Sequence, residues 1–184
     1  MNLSRIIIHP PFMALTLKAN NGKLREIVTD AEVFLSSNIS TFFKIPRKSH
    51  NVKALWDTGA TNTAISSNLA TILNLTPTGR ATIHGISQSY ETNTYVVDIG
   101  LPNKVMIEDV PVTEAPNLGE YDLLIGMDII TIGDMSITNG SRNTWFSFRY
   151  PPDIHQIDYV SKANEIMEKK VRKEKSKRKE KRRR

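Results

Sequence analysis

Alternating and continuous apolar runs along the chain predict a series of short β-strands. The predicted extended segments are residues 13–18, 26–35, 41–45, 52–56, 61–65, 81–90, 94–101, 105–112, 121–125, 135–138 and 144–149. Asn20-Asn21-Gly22 is a turn signal that predicts a hairpin between the first two segments, and Asn139-Gly140 predicts another between the last two. The pattern therefore predicts an all-β fold.

Helical spacing is confined to short segments. Ser66 or Ser67 can cap a helix over residues 68–73, whose apolar residues lie on one side. Residues 128–132 suit one or two helical turns that Gly133 would stop, and Asp128 is interpreted as the cap of that helix. Pro151-Pro152 is expected to close the domain.

Composition narrows the chemistry that this chain can perform. The 184 residues are 39% apolar, which supports one domain with a core, and they include no cysteine. A disulfide framework, a thiol nucleophile and a thiolate metal site are therefore excluded. The four histidines lack the spacing of metal ligands, and the apolar run at residues 6–8 is too short to span a membrane. We expect a cytoplasmic protein that does not associate with membranes and uses no metal.

Charge is concentrated at the C-terminus. Residues 162–184 hold 13 Lys or Arg and 4 Glu, a net +9, so the rest of the chain carries −3 of the total +6. The tail could be helical, since Glu and Lys favour helices, but it has no apolar face and is expected to be solvated and flexible. It is either a solubilising terminus or a contact, through residues 169–184, with nucleic acid or another polyanion. No aromatic residue lies in the last 25 positions, so such binding would be non-specific.

One segment places an acid at the end of an apolar strand. Ala54-Leu55-Trp56 leads directly into Asp57-Thr58-Gly59-Ala60. A carboxylate in this position is costly to bury unless it has a partner or a function. Asp57 could simply cap a turn, since Asp and Gly are common there. A second apolar run, Leu123-Leu124-Ile125, ends in Gly126 and is followed by the predicted short helix.

The two segments together resemble the active-site turn and the second characteristic segment of retropepsin-like aspartic proteases. The resemblance covers about residues 42–148, and Ile65-Ser66 with the helix after it is closer to cellular and bacterial members than to viral ones. It implies a catalytic Asp57, an active-site turn of Thr58, Gly59 and Ala60, and no cofactor. Such enzymes need two carboxylates that share one proton. Because the chain has one Asp-Thr-Gly, the resemblance implies a homodimer acting on peptide or protein substrates.

The resemblance also assigns roles around that turn. Residues expected to contact substrate are Thr61, Asn62, Gly85, Ile86, Ser87, Leu124 and Ile125, of which Gly85, Ile86 and Ser87 would form a closing flap. Gly126 would pack beneath the turn. Viral members commonly carry an acid at the position of Thr61 and an Arg at that of Met127, which form an ion pair. This chain has neither, so that brace is missing and Asp128 could act differently.

Three regions are predicted on these grounds: an N-terminal arm and hairpin at residues 1–40, a protease domain at 41–152 and a basic tail at 153–184. The predicted function is aspartic endopeptidase activity. Two alternatives remain open. One is a dimer of the same fold that binds extended peptides without cutting them, and the other is a polyanion-binding protein that acts through the tail.

Overall fold

The computed structural model of the protein describes residues 12–84, 89–102 and 104–181. The described residues fall into two units, which divide between Pro152 and Asp153. The first unit contains all the described strands, and we treat each unit by itself.

The elements of the first unit are short and mostly extended. The strands are β1 (Met13–Lys18), β2 (Ile27–Leu35), β3 (Ser49–Trp56), β4 (Ala64–Ser66), β5 (Gly79–His84), β6 (Ser89–Gly100), β7 (Met106–Ala115), β8 (Leu123–Ile125), β9 (Asp134–Thr138) and β10 (Trp145–Tyr150). The helices are α1 (Ser37–Phe43), α2 (Ser67–Ile72) and α3 (Met127–Ile130), with one 3-10 turn at Gly140–Arg142. The all-β prediction is confirmed for this unit.

Six of the strands close into a barrel. They are hydrogen-bonded in the order β2-β3-β8-β4-β7-β6, and pairing of β2 with β6 closes the ring, while β5 extends it beside β6. A separate three-stranded sheet has the order β1-β10-β9. Closing the ring satisfies the edges of its strands, so the barrel provides a rigid frame for the loops at its ends.

The two sheets are joined by aromatic packing under one strand end. The Trp56 ring lies 5.0 Å from that of Phe146 and 4.9 Å from that of Phe148, measured between centroids. The indole N–H of Trp56 donates to Thr29 Oγ1 at 3.0 Å, so its polar atom is satisfied inside the core. Trp56 is the last residue of β3, and this packing therefore fixes the position at which the chain reaches Asp57.

The hairpin predicted for residues 13–35 is wrong. β1 pairs with β10, whereas β2 pairs with β3 and β6 in the barrel. The Asn-Asn-Gly turn forms bonds to a distant segment instead: Gly22 N donates to Asn143 Oδ1 at 3.0 Å, and Thr144 N donates to Gly22 O at 3.2 Å. Every second residue of β2 from Ile27 is buried, so this strand gains more from the barrel than from a local hairpin. The barrel thus includes residues that the sequence assigned to an N-terminal extension.

The strand predicted at residues 41–45 is also wrong, because this segment lies mostly in α1. The Ser36 hydroxyl accepts from Ile39 N at 3.3 Å, and the carboxylate of Asp98 accepts from Ser37 N at 2.8 Å. The helix ends at Lys44, whose φ of 54° is left-handed. The β-propensity of Thr and Phe is overridden here by bonds to the N-terminus of the helix.

Other local predictions are confirmed. Ser66 caps α2 by accepting from Leu69 N at 3.0 Å. β5 pairs with β6, and β9 pairs with β10, each in antiparallel register. The tip of the β5–β6 hairpin, which includes the predicted flap residues Gly85, Ile86 and Ser87, lies outside the described residues.

The second unit contains α4 (Tyr159–Lys181). Asp158 caps it, since its carboxylate accepts from Val160 N at 2.8 Å and from Ser161 N at 3.2 Å. Every side chain at residues 153–178 is exposed. Val160, Met167 and Val171 recur at helical spacing, so the first half of α4 does carry a narrow apolar stripe, contrary to the sequence-based expectation. None of the described helices is both long and apolar enough to cross a membrane.

Candidate active site

Asp57 lies where β3 ends, and backbone bonds on both sides hold it there. β3 and β8 run parallel with Trp56 opposite Ile125, and Asp57 N donates to Ile125 O at 3.0 Å. The chain then turns, with Ala60 N donating to Asp57 O at 3.3 Å and Gly59 N donating to Asp57 Oδ1 at 2.8 Å. Asp57 is half-buried, whereas Thr58 and Gly59 are exposed. The turn thus presents one carboxylate at the surface in a defined orientation.

The segment after this turn is bonded to the start of α3. Met127 N donates to Ala60 O at 2.8 Å, and Asp128 N donates to Thr61 O at 3.2 Å. Gly126 lies against the backbone of Asn62 so closely that a Cβ added to it would be 2.6 Å from the carbonyl carbon of Asn62. Only glycine fits at this position without a shift of the backbone.

Asp128 is not the N-cap of α3, which corrects the interpretation from the sequence, although its Oδ1 accepts from Ile129 N in the first turn at 2.9 Å. The N-cap of α3 is Gly126, and it makes no side-chain bond. Asp128 instead accepts from Thr63 N at 2.9 Å and from Thr63 Oγ1 at 2.7 Å. Thr63 is 0% exposed, and its hydroxyl also accepts from Gly126 N at 3.2 Å. The two residues join the active-site segment to α3 through side chains as well as backbone.

The register of the strands identifies the residues that share the face of Asp57. Leu55 points to the same side as Asp57 because side chains alternate along a strand. Its partners across the sheet are Val28 and Leu124, and all three are half-buried. Ile125, by contrast, is 0% exposed and belongs to the core. Ile125 therefore presents no exposed surface in this structure, unlike the expectation from the sequence. Val28 and Leu55, which the sequence analysis did not select, lie on the face of Asp57, and the alternation that places them there is readable in the sequence.

The remaining predicted site residues divide between those that the structure brings together and those that it does not describe. Thr61 and Asn62 are exposed and follow the turn directly, and Leu124 lies on the face of Asp57. The flap residues are outside the described ranges, so their position relative to Asp57 stays a prediction.

A hydrogen-bonded acid, Glu114, lies on β7 beside the segment that follows the Asp57 turn. Thr113 N donates to Thr63 O at 3.2 Å, and the next residue is Glu114. Hydrogen bonds from the side chains of Ser67, Asn93 and Tyr95 lower the pKa of Glu114. Burial, together with the bond to Glu114, raises the pKa of Tyr95. This group ties β6 and β7 to the start of α2, and sequence alone gives no signal for it because its members are far apart along the chain.

A hydrogen-bonded pair, Glu26 and Tyr121, lies at the start of β2. Ile27 is opposite Trp56, so Glu26 is one position beyond that pair, next to the place where the chain reaches Asp57. Tyr121 donates its hydroxyl to Glu26 Oε2 at 2.7 Å, and this hydrogen bond raises the pKa of Tyr121 to about 12. The pair links the loop before β8 to the start of β2.

Comparisons with known proteins bear on this arrangement. Residues 46–131 match the model of a family described as "gag-polyprotein putative aspartyl protease". The sequence matches none of the curated proteins with which it was compared.

Three solved structures resemble the chain in part. A retropepsin-like aspartic protease from Rickettsia conorii has 11% sequence identity and a TM-score of 0.45, over 77% of this chain and 98% of that one. The simian foamy virus protease has 16% identity and a TM-score of 0.36, over 56% and 92% of the two chains. The retroviral protease-like domain of Ddi1 from Leishmania major has 20% identity and a TM-score of 0.34, over 53% and 85%. The segment that is similar to this family contains both Asp57 and the α3 segment bonded to it.

Proposed function

We propose that the protein is an aspartic endopeptidase that works as a homodimer, with Asp57 of each subunit contributing one half of the catalytic pair. The observation that carries the proposal is the Asp57 turn. Its carboxylate is half-buried at a strand end, and backbone bonds to Ile125, Gly59 and Ala60 hold the residue in place. One such turn per chain is half of the group that the reaction needs.

The chemistry follows from placing two such carboxylates together. Like charges a few ångströms apart do not both ionise cheaply, so the pair shares one proton and titrates as a unit. The ionised member takes a proton from a bound water, and the protonated member polarises the scissile carbonyl. A two-fold axis between two Asp57 turns supplies this pair with the least new structure.

The surface around Asp57 supports a peptide as substrate. Leu55, Val28 and Leu124 give a half-buried apolar wall on the face of the carboxylate. Thr61 and Asn62 follow the turn as exposed polar residues that would bond substrate amides. Gly85, Ile86 and Ser87 would close over the bound peptide and exclude water.

The primary test compares the wild type with Asp57→Asn, with Asp30→Asn as a matched control. The Asp30 carboxylate lies on β2 in an exposed ion pair with Lys53. We expect the wild type and Asp30→Asn to cleave a random peptide library at acid or neutral pH, and Asp57→Asn to lose cleavage by about 10³-fold or more. Equal cleavage by all three proteins would overturn the assignment of Asp57.

A mixing experiment tests whether the site is shared between subunits. If each site needs two Asp57 side chains, an excess of the Asp57→Asn chain will capture wild-type subunits and lower their activity well below that of an undiluted control. An excess of Asp30→Asn will not lower it. Strict proportionality to the amount of wild-type chain in the mixture with Asp57→Asn would show that one chain suffices.

A peptide-binding dimer without catalysis predicts a different result. The wild type would dimerise and retain peptides but leave them intact across acid to neutral pH. In that case the fold and the dimer stand, and the proposal of endopeptidase activity fails.

A second candidate function concerns α4, and its exposed charge favours it. Within residues 169–184 there are 12 Lys or Arg and 2 Glu, a net +10. Seven Lys or Arg lie between residues 169 and 178 of α4, and at 100° per residue they are spread around the helix, so cations face every side. No apolar residue follows Val171, and a helix lying on a membrane needs an apolar face. Phosphate contacts need only the charges, so we propose non-specific nucleic-acid binding through this segment.

The five Lys and Arg residues within 172–178, replaced together by Gln, test this candidate. Gln retains helix propensity, so the change removes charge and leaves the helix. Binding to a labelled mixed-sequence DNA duplex should weaken by at least about 10-fold, and the slope of log K against log salt should become shallower by roughly one per lost phosphate contact. An unchanged affinity and slope would end this candidate.

A further inference from the structure

We propose that Asp128 is a positioning residue, which holds the Asp57 turn in its working geometry through Thr63. The inference rests on the proposed function, because it assigns a role in the same site. The bond between Asp128 and Thr63 joins the segment after the Asp57 turn to the start of α3.

The geometry forms a closed circuit that begins and ends at Asp57. From Asp57 the chain runs through the turn to Thr63, whose N and Oγ1 donate to Asp128 at 2.9 and 2.7 Å. Asp128 is two residues after Gly126, whose N donates back to Thr63 Oγ1 at 3.2 Å. The residue before Gly126 is Ile125, whose carbonyl accepts from Asp57 N at 3.0 Å. Moving any member of this circuit moves the turn.

The circuit requires a carboxylate at position 128. Oδ2 accepts from Thr63 N, while Oδ1 accepts from both Thr63 Oγ1 and Ile129 N, the latter at 2.9 Å. An asparagine has one acceptor oxygen and a donor NH₂, so it cannot serve both sides. In Asp128→Asn the buried N–H or hydroxyl of Thr63 would lose its acceptor, and the segment would shift to recover one.

The effect of such a shift should fall on turnover rather than on binding. Thr63 is 0% exposed, so neither it nor its bond to Asp128 can touch a substrate. A displacement of the Asp57 carboxylate by about 1 Å is enough to cost about 10²-fold in rate, since the pair must share a proton and orient one water. Thr61 and Asn62 lie within the circuit and would shift with the turn, whereas Val28 and Leu55 of the proposed apolar wall lie on β2 and β3, before the turn. We therefore expect binding to weaken less than turnover.

The test uses Asp128→Asn, Thr63→Val, their double variant and Thr63→Ser. We expect kcat to fall about 10- to 100-fold in the two single variants with KM changed less than about 3-fold. The double variant should be no worse than the poorer single variant, because both single variants break the same hydrogen bond between Thr63 Oγ1 and Asp128 Oδ1. Thr63→Ser keeps the hydroxyl and should restore most of the rate. Asp134→Asn, which alters an ion pair with Arg149 in the other sheet, is the matched control and should retain its kcat.

A second readout separates positioning from general destabilisation and does not require activity. Amide hydrogen exchange of Gly59 and Ala60, whose N–H groups both bond to Asp57, should accelerate at least 10-fold in Asp128→Asn and Thr63→Val. Strand β6, and β7 apart from Thr113, whose N–H bonds to Thr63 O, should exchange at the wild-type rate. Faster exchange throughout the barrel, or unchanged exchange in the turn, would overturn the proposal.

Failure of the two proposals can be told apart. If the wild type cleaves no peptide, the endopeptidase proposal fails, and the exchange measurement still decides whether Asp128 holds the turn. If the wild type is active while Asp128→Asn and Thr63→Val keep their kcat, only the positioning role is lost. Should Asp128→Asn fail to fold, Thr63→Val preserves the side-chain shape without the hydroxyl and tests the same bond from its other end.

Discussion

The barrel unit and the C-terminal helix are ordered in different ways. The barrel encloses a continuous apolar core, and its polar groups are tied by bonds between distant parts of the chain. The helix has only exposed side chains over residues 153–178, a cap at Asp158, and ion pairs such as Lys169–Glu165 at 3.9 Å. Burial gives the first unit cooperative stability, whereas the second depends on local helix formation.

This difference matches the chemistry proposed for each unit. A shared proton and an oriented water require carboxylates fixed to within about 0.5 Å, which only a packed frame provides. Contacts with phosphate backbones depend on the number of charges and tolerate large changes in position. The basic residues can therefore lie on an exposed helix, while Asp57 needs the barrel.

Truncating a buried isoleucine should give the largest difference in stability effect between the two units. Ile129 on α3 is 2% exposed, and Ile166 on α4 is 55% exposed. We expect Ile129→Ala to lower the free energy of unfolding of the barrel by about 3–4 kcal/mol, because a cavity replaces core contacts. Ile166→Ala should change it by less than about 0.5 kcal/mol. Urea unfolding followed by tryptophan fluorescence measures both, and equal losses would mean that the helix shares the core.

The sequence predicted the parts of this contrast that depend on local patterns. Apolar alternation located most strands, and Ser66 or Ser67 was predicted to cap a helix, of which Ser66 does so. The Asp57 turn and the apolar run ending at Gly126 could be recognised because each is contiguous in the sequence. In the structure, the parallel pairing of β3 with β8 brings them together. Asp158 is an ordinary capping signal that could have predicted where α4 begins.

What the sequence could not predict depends on contacts between distant residues. The hairpin of residues 13–35 failed because β10, more than 120 positions away along the chain, competes for β1. The role of Asp128 was misinterpreted because a cap and a bond to Thr63, 65 positions earlier, look the same in one dimension. Ile125 was assigned to a substrate wall because apolar character does not distinguish a core-facing residue from its neighbour Leu124.

Replacing an arginine should also affect the stability of the two units differently, by a smaller amount. Arg47 donates at 2.7 Å to Asp98, which is 0% exposed and also accepts from the backbone N–H groups of Ser37 and Asp109. We expect Arg47→Ala to cost the barrel about 2–3 kcal/mol, less than for a fully buried pair because the guanidinium is partly exposed. Arg172→Ala in α4 breaks an exposed pair with Glu168 at 3.8 Å and should cost less than about 0.5 kcal/mol.

The same unfolding experiment measures the arginine variants. High salt should leave the cost of Arg47→Ala nearly unchanged, since its partner is buried, and should abolish any effect of Arg172→Ala. A salt-sensitive cost at Arg47 would contradict the view that the Asp98 charge is shielded from solvent.

A single methyl group sharpens the comparison further. Gly126→Ala would place Cβ 2.6 Å from the carbonyl carbon of Asn62, so we expect it to destabilise the barrel by about 1–3 kcal/mol. Gly140→Ala, where a Cβ would meet nothing within 4 Å, is the matched control and should be nearly neutral. The reverse change, Ala163→Gly, should reduce the helical circular dichroism of α4 and leave the barrel's unfolding midpoint in place.

The smallest expected effect concerns two acids whose pKa is lowered, one in each unit. Side-chain bonds from Ser67, Asn93 and Tyr95 lower the pKa of Glu114, and bonds from Ser161 and Val160 lower the pKa of Asp158. A carboxylate whose pKa is lower in the folded state stabilises the fold fully above its unfolded pKa, and that stability is lost as the pH falls through the folded value.

Glu114→Gln should therefore destabilise the barrel by up to about 1 kcal/mol at pH 7, with the difference from wild type vanishing below about pH 4. Asp158→Asn should lower only the helicity of α4 in the same pH range. Thermal unfolding from pH 3 to pH 8, followed separately for tryptophan fluorescence and helical signal, tests this division; a pH-dependent barrel midpoint in Asp158→Asn relative to wild type would show that the cap of the helix also supports the barrel.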